Sequence, residues 1–248
     1  MSNPLVVLVT GASQGIGAAT AQAFAEAGHN VVLAARNREK LEGVAGALGE
    51  GATAVVCDVA DPASVTALFE RIGGLHGRLD VLFNNAGTNV PPMDVGEVSW
   101  EDWRKVVSVN LDGAFLIASA AFRMMKGQSP QGGRIINNGS ISAHAPRYNS
   151  VAYTASKHAV TGLTKTISLD GRPYSIACGQ IDIGNCASEM TERMAKGVPQ
   201  ADGTLKPEPT MDVRYVADAV LRMAELPLSV NVLFQTIMAT NMPFVGRG

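Results

Sequence analysis

Leu5-Val-Val-Leu-Val-Thr10-Gly-Ala-Ser-Gln-Gly15-Ile-Gly17 is the stretch on which the fold turns. Leu5 to Thr10 is a short, continuous apolar run, which predicts a buried strand. The glycine-rich turn follows at once, and then a helical pattern with apolar residues at Ile16, Ala19, Ala23, Phe24 and Ala27. Gly28 stands where helices commonly end, just past the last periodic residue. Strand, glycine turn and helix in this order form the context of an anion site. Amides at a helix N-terminus point at a phosphate, and glycine lets it approach the backbone. Gly11, Ser13, Gln14, Gly15, Ile16 and Gly17 are therefore candidate phosphate contacts. The spacing is G-x-x-x-G-x-G rather than G-x-G-x-x-G, and a plain tight turn would use the same residues.

Working outward, strand and helix patterns alternate. Asn30 to Ala35 reads as a buried strand and Arg38 to Leu48 as a helix. Thr53 to Cys57 is a strand ending at Asp58, and Asp61-Pro62 opens a helix with proline in its first turn. Leu79 to Phe83 is a strand ending in Asn84-Asn85-Ala86-Gly87. Trp100 to Met125 is helical, with a break expected near Asn110, and Arg134 to Asn138 is the next strand. Such alternation predicts one α/β domain spanning residues 1-248, a doubly wound, mostly parallel sheet with helices on both faces. Ligands of such sheets bind at the carboxyl ends of the strands. Gly11, Asp58, Asn84, Gly87 and Ser140 all fall there.

Chemistry concentrates between Asn138 and Lys165, which carry Ser140, Tyr153 and Lys157. The pattern Val151, Ala155, Ala159, Val160, Leu163, Ile167 predicts a helix burying that side. Tyr153 and Lys157 are four apart and share a helix face. A phenol is a weak acid, with a pKa of about 10 in water, and a neighbouring ammonium favours its phenolate. A hydroxyl from Ser140 at the strand end could hold a carbonyl oxygen beside the phenol. These are the parts needed to interconvert a carbonyl and an alcohol. Alone, Tyr-x-x-x-Lys is common and reads as a surface pair, so the case depends on the rest of the chain.

Composition narrows the classes. The chain has 248 residues, 46% of them hydrophobic, enough for a single core, and a net charge of −2. That charge gives no electrostatic footprint for nucleic acid. No apolar run approaches the roughly 18 residues of a membrane span, and the first residues show no basic region of a signal peptide. Three cysteines, Cys57, Cys178 and Cys186, have neither an even count nor a metal spacing. The expectation is a cytoplasmic protein with core thiols, no metal, no nucleic acid and no membrane partner.

Thr10-Gly-x-x-x-Gly-Ile-Gly17, Asn84-Asn-Ala-Gly87, Asn110, Ser140 and Tyr153-x-x-x-Lys157, in this order, resemble the short-chain dehydrogenase/reductase family. The resemblance covers roughly residues 5 to 183. It implies a nicotinamide dinucleotide and hydride transfer to or from a small carbonyl or alcohol. It implies Tyr153 as general acid/base and Ser140 as holder of the substrate oxygen. Lys157 would bind the nicotinamide ribose and support the phenolate, and Asn110 would hold a water of the proton relay. Asp58 and Val59 would meet the adenine, and Asn85, Ala86 and Gly87 the adenosine side. It also implies a homo-oligomer, a tetramer or dimer, through the helices carrying Asn110 and Tyr153. Ala118, Ala121, Phe122 and Met125 on the first and Ala159 and Gly162 on the second are the expected contacts.

Other readings stay open at several of these positions. Asn110 would equally cap a helix starting near Leu111, and Asp58 would serve as the start signal of the helix at Asp61. His144 reads as a surface residue, and Arg147 either as an anion contact or as a solvated loop arginine. The order of strands also suits a dinucleotide-binding regulatory protein with little turnover. Epimerisation or dehydration on this scaffold would call for a longer chain.

The chain departs from the family pattern after Lys157. A strand is expected at Tyr174 to Cys178, and Cys178-Gly-Gln-Ile-Asp-Ile183 then stands where Pro-Gly-x-Ile-x-Thr is usual. Gly179 and Ile181 are thus expected cofactor contacts, while Ile183 lacks the usual hydroxyl, which Asn185 or Ser188 would replace. Residues 185-210 are expected to form a mobile substrate lid, with Met190 and Met194 either lining an apolar pocket or packing inward. The second strand ends in Ala35-Arg36, with no carboxylate for a ribose 2′-hydroxyl and an arginine suited to a 2′-phosphate. NADP(H) is therefore expected in preference to NAD(H), with Arg36 as the deciding residue.

Overall fold

A computed structural model of the chain describes residues 4–187, 197–200 and 202–245. Its centre is a seven-stranded sheet in the order β3-β2-β1-β4-β5-β6-β9. The strands are β1 (Val6–Thr10), β2 (Asn30–Ala35), β3 (Ala52–Val56), β4 (Val81–Asn84), β5 (Gly133–Asn138), β6 (Ile176–Ile183) and β9 (Phe234–Ile237). Every pairing in it is parallel. The order runs one way from β1 to β3 and the other from β4 to β6, so the sheet reverses between β1 and β4. That reversal is where doubly wound sheets open a crevice for ligands.

Helices α1 (Gly15–Glu26), α2 (Arg38–Leu48) and α7 (Val213–Glu225) cover one face. Helices α3 (Pro62–His76) and α5 (Ala114–Gly127) cover the other. β1 shows why its residues are apolar without interruption. Val7 and Val9 pack under α1 and α7, while Val6 and Leu8 pack under α3 and α5. Leu8 is fully buried, so cutting it to alanine would cost about 2–5 kcal/mol.

The expected break near Asn110 is a π-helical turn, Ser108–Gly113, between α4 (Trp100–Val107) and α5. It takes the place of the helix cap considered above. As one rod, Trp100–Gly127 has 28 residues and a mean hydropathy of 1.4 over its most apolar window. This corrects the expectation that no segment is long and apolar enough to span a membrane. Ile117, Ala118, Ala121 and Met125 of this rod are fully buried, and Ile117, Ala121 and Met125 pack against the sheet. The expectation of Ala118, Ala121 and Met125 as contacts with another subunit is corrected by the same observation. Phe115 is the large apolar residue that α5 turns outward.

Two sequence readings shift in the second half. Helix α6 (Val151–Asp170) buries Ala152, Ser156, Lys157, Val160 and Thr164, while Ala155 is exposed. The buried stripe lies one residue beyond the apolar one, because this face carries polar groups that answer polar groups of the sheet. Thr164 Oγ1 donates to Gln180 Oε1 at 2.9 Å and accepts from Asn137 Nδ2 at 2.9 Å. β6, for its part, does not stop at Cys178. It runs to Ile183 in register with β5, pairing Asn138 with Ile181. Tyr174 belongs to a short 3-10 turn before it.

Candidate active site

The carboxyl ends of β1, β4, β5 and β6 open into one cleft of about 360 Å³. Gly11, Gln14, Gly15, Ile16 and Gly17 line one end, and Ser140, Tyr153 and Lys157 line the middle. The cleft continues past Arg147 and Asn149 to Ile183–Cys186 and Gly197–Pro199.

Gly11 and Gly15 have φ of +65° and +55°, a region that glycine enters without strain. A Cβ on Gly17 would collide with the carbonyl of Gly11 and sit 2.7 Å from Asn85 Nδ2. Gln14, at the N-cap of α1, makes no side-chain cap, so the first-turn amides of α1 are left to face the cleft. Its side chain instead accepts from Lys40 Nζ at 3.1 Å, which brings an ammonium to the glycine turn. Arg36 is exposed at the end of β2, whereas Arg38 pairs with Glu42 at 3.1 Å. Lys40 was missed in sequence because it lies 26 positions from Gln14.

The turn after β4 is stapled to β1 by side chains. Thr10 Oγ1 accepts from the amides of Asn85 and Ala86 at 2.9 and 3.0 Å. Asn85 Nδ2 donates to the Thr10 carbonyl at 2.8 Å, and Asn85 Oδ1 accepts from Asn138 Nδ2 at 2.7 Å. Asn85 and Gly87 line the cleft; Ala86 is held beside it. Asp58 closes a local turn, accepting from Ala60 N at 3.0 Å, and Asp61 is the residue that caps α3. Val59 is buried against Gly113 of the π turn. Ser13, Arg36, Asp58 and Val59 do not line the cleft itself.

Tyr153 and Lys157 stand on α6 with Lys157 Nζ 5.6 Å from the tyrosine ring centre. Lys157 Nζ donates to the Asn138 carbonyl at 2.7 Å, which fixes the ammonium under the strand end. Asn110 lies just behind. Its Oδ1 accepts from Thr88 N at 2.7 Å, and its Nδ2 donates to the Thr88 carbonyl at 3.0 Å and to Ser156 Oγ at 3.3 Å. The π turn thus locks Asn110 against α6 and the segment after β4, as such turns often do near functional sites.

Gly179 and Ile181 are not brought to the cleft. Gly179 is inside β6, where a Cβ would strike the Val232 carbonyl, and Ile181 is fully buried, its carbonyl accepting from Gly139 N. Because β6 runs on, the segment facing the cleft is Ile183-Gly184-Asn185-Cys186. Asn185 faces the cleft there, while Ser188, Met190 and Met194 lie outside the described residues. Burial and the charge of Asp212 push the Cys186 thiol to about 11, so it is a wall of the cleft rather than a nucleophile.

Sequence reasoning also missed two buried carboxylates, Asp182 and Glu208. Glu208, 3% exposed, accepts from Arg147 Nη1 and Nη2 at 3.1 and 2.7 Å, from Asn185 Nδ2 at 2.7 Å and from Gln200 Nε2 at 2.9 Å. Burial raises its pKa, but these hydrogen bonds outweigh burial and hold it at about 2. Arg147, 19% exposed, is therefore neither a free loop arginine nor poised for an anion; its charge is already matched. The hairpin of β7 (Val198–Pro199) and β8 (Leu205–Lys206) is tied by Glu208 to the loop before α6.

With this geometry in place, likeness to known proteins is informative. The short chain dehydrogenase family profile matches residues 5–198. The chain belongs to the short-chain dehydrogenase family. It is 36% identical over 196 residues to a 3beta-hydroxysteroid dehydrogenase of Mediterraneibacter gnavus, covering 78% of this chain and 70% of that one. It is 35% identical over 214 residues to a D-threitol dehydrogenase of Mycolicibacterium smegmatis, covering 85% and 80%. Among solved structures, it resembles a 3-ketoacyl-(acyl-carrier-protein) reductase from Brucella melitensis complexed with NADH. The TM-score is 0.86 at 26% identity, over 96% of this chain and 98% of that one. This short-chain dehydrogenase is thus an oxidoreductase by family, with the doubly wound fold expected from sequence.

Proposed function

We propose that this protein interconverts a carbonyl and an alcohol using NADP(H), with Tyr153 as general acid/base. One observation carries the reading: a single cleft joins the glycine turn at the N-terminus of α1 to Ser140, Tyr153 and Lys157. A bound nicotinamide would supply or accept the hydride. Tyr153 passes a proton to or from the substrate oxygen, and Ser140 holds that oxygen by a hydrogen bond. Lys157, anchored on the Asn138 carbonyl, supports the phenolate electrostatically. The backbone of Gly11–Gly17 and the first turn of α1 receive the diphosphate.

Arg36 and Lys40 favour the 2′-phosphate. Ala35 puts no carboxylate beside them, and Lys40 reaches the glycine turn through Gln14. A charge-assisted hydrogen bond contributes about 1.5–3 kcal/mol, which corresponds to roughly 10- to 100-fold preference for NADP(H). The substrate is neutral on this reading, since Glu208 and Asn185 already occupy the Arg147 guanidinium. A homotetramer or dimer is proposed as well, with Phe115 and the exposed Gly162 on its contact faces. A cytoplasmic location is proposed as well, on the buried thiols of Cys57 and Cys178.

The test is to titrate NADPH and NADH into the apo protein, then assay a panel of neutral ketones, aldehydes and alcohols with the tighter cofactor. Equal affinity, or tighter NADH, rejects the Arg36 reading. Tight binding with no turnover across the panel would favour the regulatory alternative. Light scattering at micromolar concentration checks the assembly: a monomer rejects it.

A further inference from the structure

Asp182 is fully buried, yet it takes no part in the chemistry described above. Its Oδ1 accepts from Ser140 N at 3.1 Å and from Gln180 Nε2 at 2.7 Å. Its Oδ2 faces His144 Nε2 at 2.7 Å. A buried carboxylate is costly unless it is paired and hydrogen-bonded, so a site that keeps one has a reason in its geometry. Two of the three partners bracket the short 3-10 turn Ile141–Ala143: the amide of Ser140 before it and the ring of His144 after it. The carboxylate thus pins both ends of the turn to β6. Space has been left for this contact, since a Cβ on Gly139 would collide with Asp182 Oδ1. Within the turn, Ser140 Oγ accepts from Ser142 N at 3.1 Å, which leaves its own proton to be donated into the cleft.

We propose that Asp182 and His144 form a positioning pair that sets the direction of the Ser140 hydroxyl. The inference rests on the reading of Ser140 as the group holding the substrate oxygen. Facing a carboxylate, His144 Nε2 carries the proton, and half of the ring meets solvent, so the pair closes the turn from its outer side. Without the His144 donor, Asp182 pins the turn at Ser140 alone, and the Ser140 hydroxyl wanders from the oxygen it should meet. Misplacement of this kind lowers turnover while leaving the distant glycine turn intact.

His144→Leu and His144→Gln test this, the glutamine keeping a neutral donor near Nε2. The expected result for His144→Leu is kcat down roughly 10-fold or more, with NADPH affinity unchanged. By NMR the Ser140 amide should exchange faster with solvent. His144→Gln should restore both values. Wild-type kcat and wild-type Ser140 exchange in His144→Leu overturn the pair, as does a glutamine variant no better than leucine. A fall in melting temperature alone, with kcat unchanged well below it, also overturns it by assigning the residues a purely structural role. If the wild-type protein turns over no carbonyl, the function reading fails, and the Ser140 exchange rates still decide the pair.

Discussion

The two ends of the cleft are built on opposite principles. At the end of β1 the wall is backbone: Gly11, Gly15 and Gly17 line it, a side chain at Gly11 or Gly17 would crowd the turn after β4, and Gly15 holds a positive φ of 55°. At the end of β6 the wall is side chains: Asp182, Asn185 and Glu208 hold Ser140, His144 and Arg147 by hydrogen bonds spanning 38 to 61 positions of sequence. A phosphate asks the same of every cofactor-binding chain, so a backbone cradle suffices. A substrate oxygen must be met in one direction, and directional donors must themselves be held. The difference teaches where tolerance lies. The β1 end should fail through steric overlap, and the β6 end through lost partners.

Chemistry is the sharpest place to separate the two ends. Tyr153→Phe keeps the ring and removes the proton. Turnover should fall by about 10²–10⁴-fold, the usual worth of one acid/base group, while cofactor affinity stays near normal. Stopped assays beside a cofactor titration check it. Undiminished turnover in the phenylalanine variant would remove Tyr153 from the mechanism and merge the two ends functionally.

Next in size is the buried ion pair. Glu208 has a pKa of about 2 against an ordinary 4.5, a depressed value. Its contribution is therefore fully present above about 4.5 and is lost as pH falls toward 2. Glu208→Gln should lower unfolding free energy at neutral pH by at most about 3 kcal/mol, since Arg147 is left partly solvated. Across the acid window the variant's stability should fall less steeply than that of the wild type. Urea unfolding at a series of pH values measures both slopes. Parallel curves would mean that Glu208 is not a keystone of the β6 end.

The same contrast explains what could be read from sequence. β2 and α2 match their expected bounds, because apolar runs and glycine punctuation are local signals. The break at Asn110 was legible too, as polar residues interrupting an apolar helix. β6 was not. Gln180 and Asp182 look like a turn, yet both are fully buried in a strand, satisfied by Thr161, Thr164, Ser140 and His144. That misreading moved the cofactor-facing segment five residues early, onto Gly179 and Ile181. The inward face of α6 failed for the same reason, since Ser156, Lys157 and Thr164 are the residues it buries. Polar burial depends on partners distant in sequence, and no single-chain periodicity reveals it.

Steric overlap at the β1 end should have a smaller but distinct effect. Gly17→Ala puts a methyl against the Gly11 carbonyl and Asn85 Nδ2, neither of which can retreat without moving the turn. Overpacking of this kind costs about 1–3 kcal/mol. Cofactor affinity should fall with stability, unlike in Tyr153→Phe. Calorimetry of cofactor binding together with thermal unfolding would show the two losses side by side. Normal affinity in Gly17→Ala would mean that the backbone cradle is not the diphosphate site.

The smallest effect is the control that gives Gly17 its meaning. Gly43 lies in the same half of the molecule, in the middle of α2, and is exposed. A Cβ there meets nothing within 4 Å. Glycine in a helix interior carries only an entropic cost, about 0.5–1 kcal/mol relative to alanine. Gly43→Ala should therefore stabilise the protein by about that amount. In a chain of this length that raises the melting temperature by about 1–4 °C. Cofactor affinity and kcat should not change, because α2 reaches the cleft only through Lys40 at its first turn. Thermal unfolding of Gly43→Ala and Gly17→Ala in one series gives shifts of opposite sign. If both variants lose stability equally, the glycines of this half serve chain flexibility in general, and the β1 end is not set apart by the close approach at Gly17.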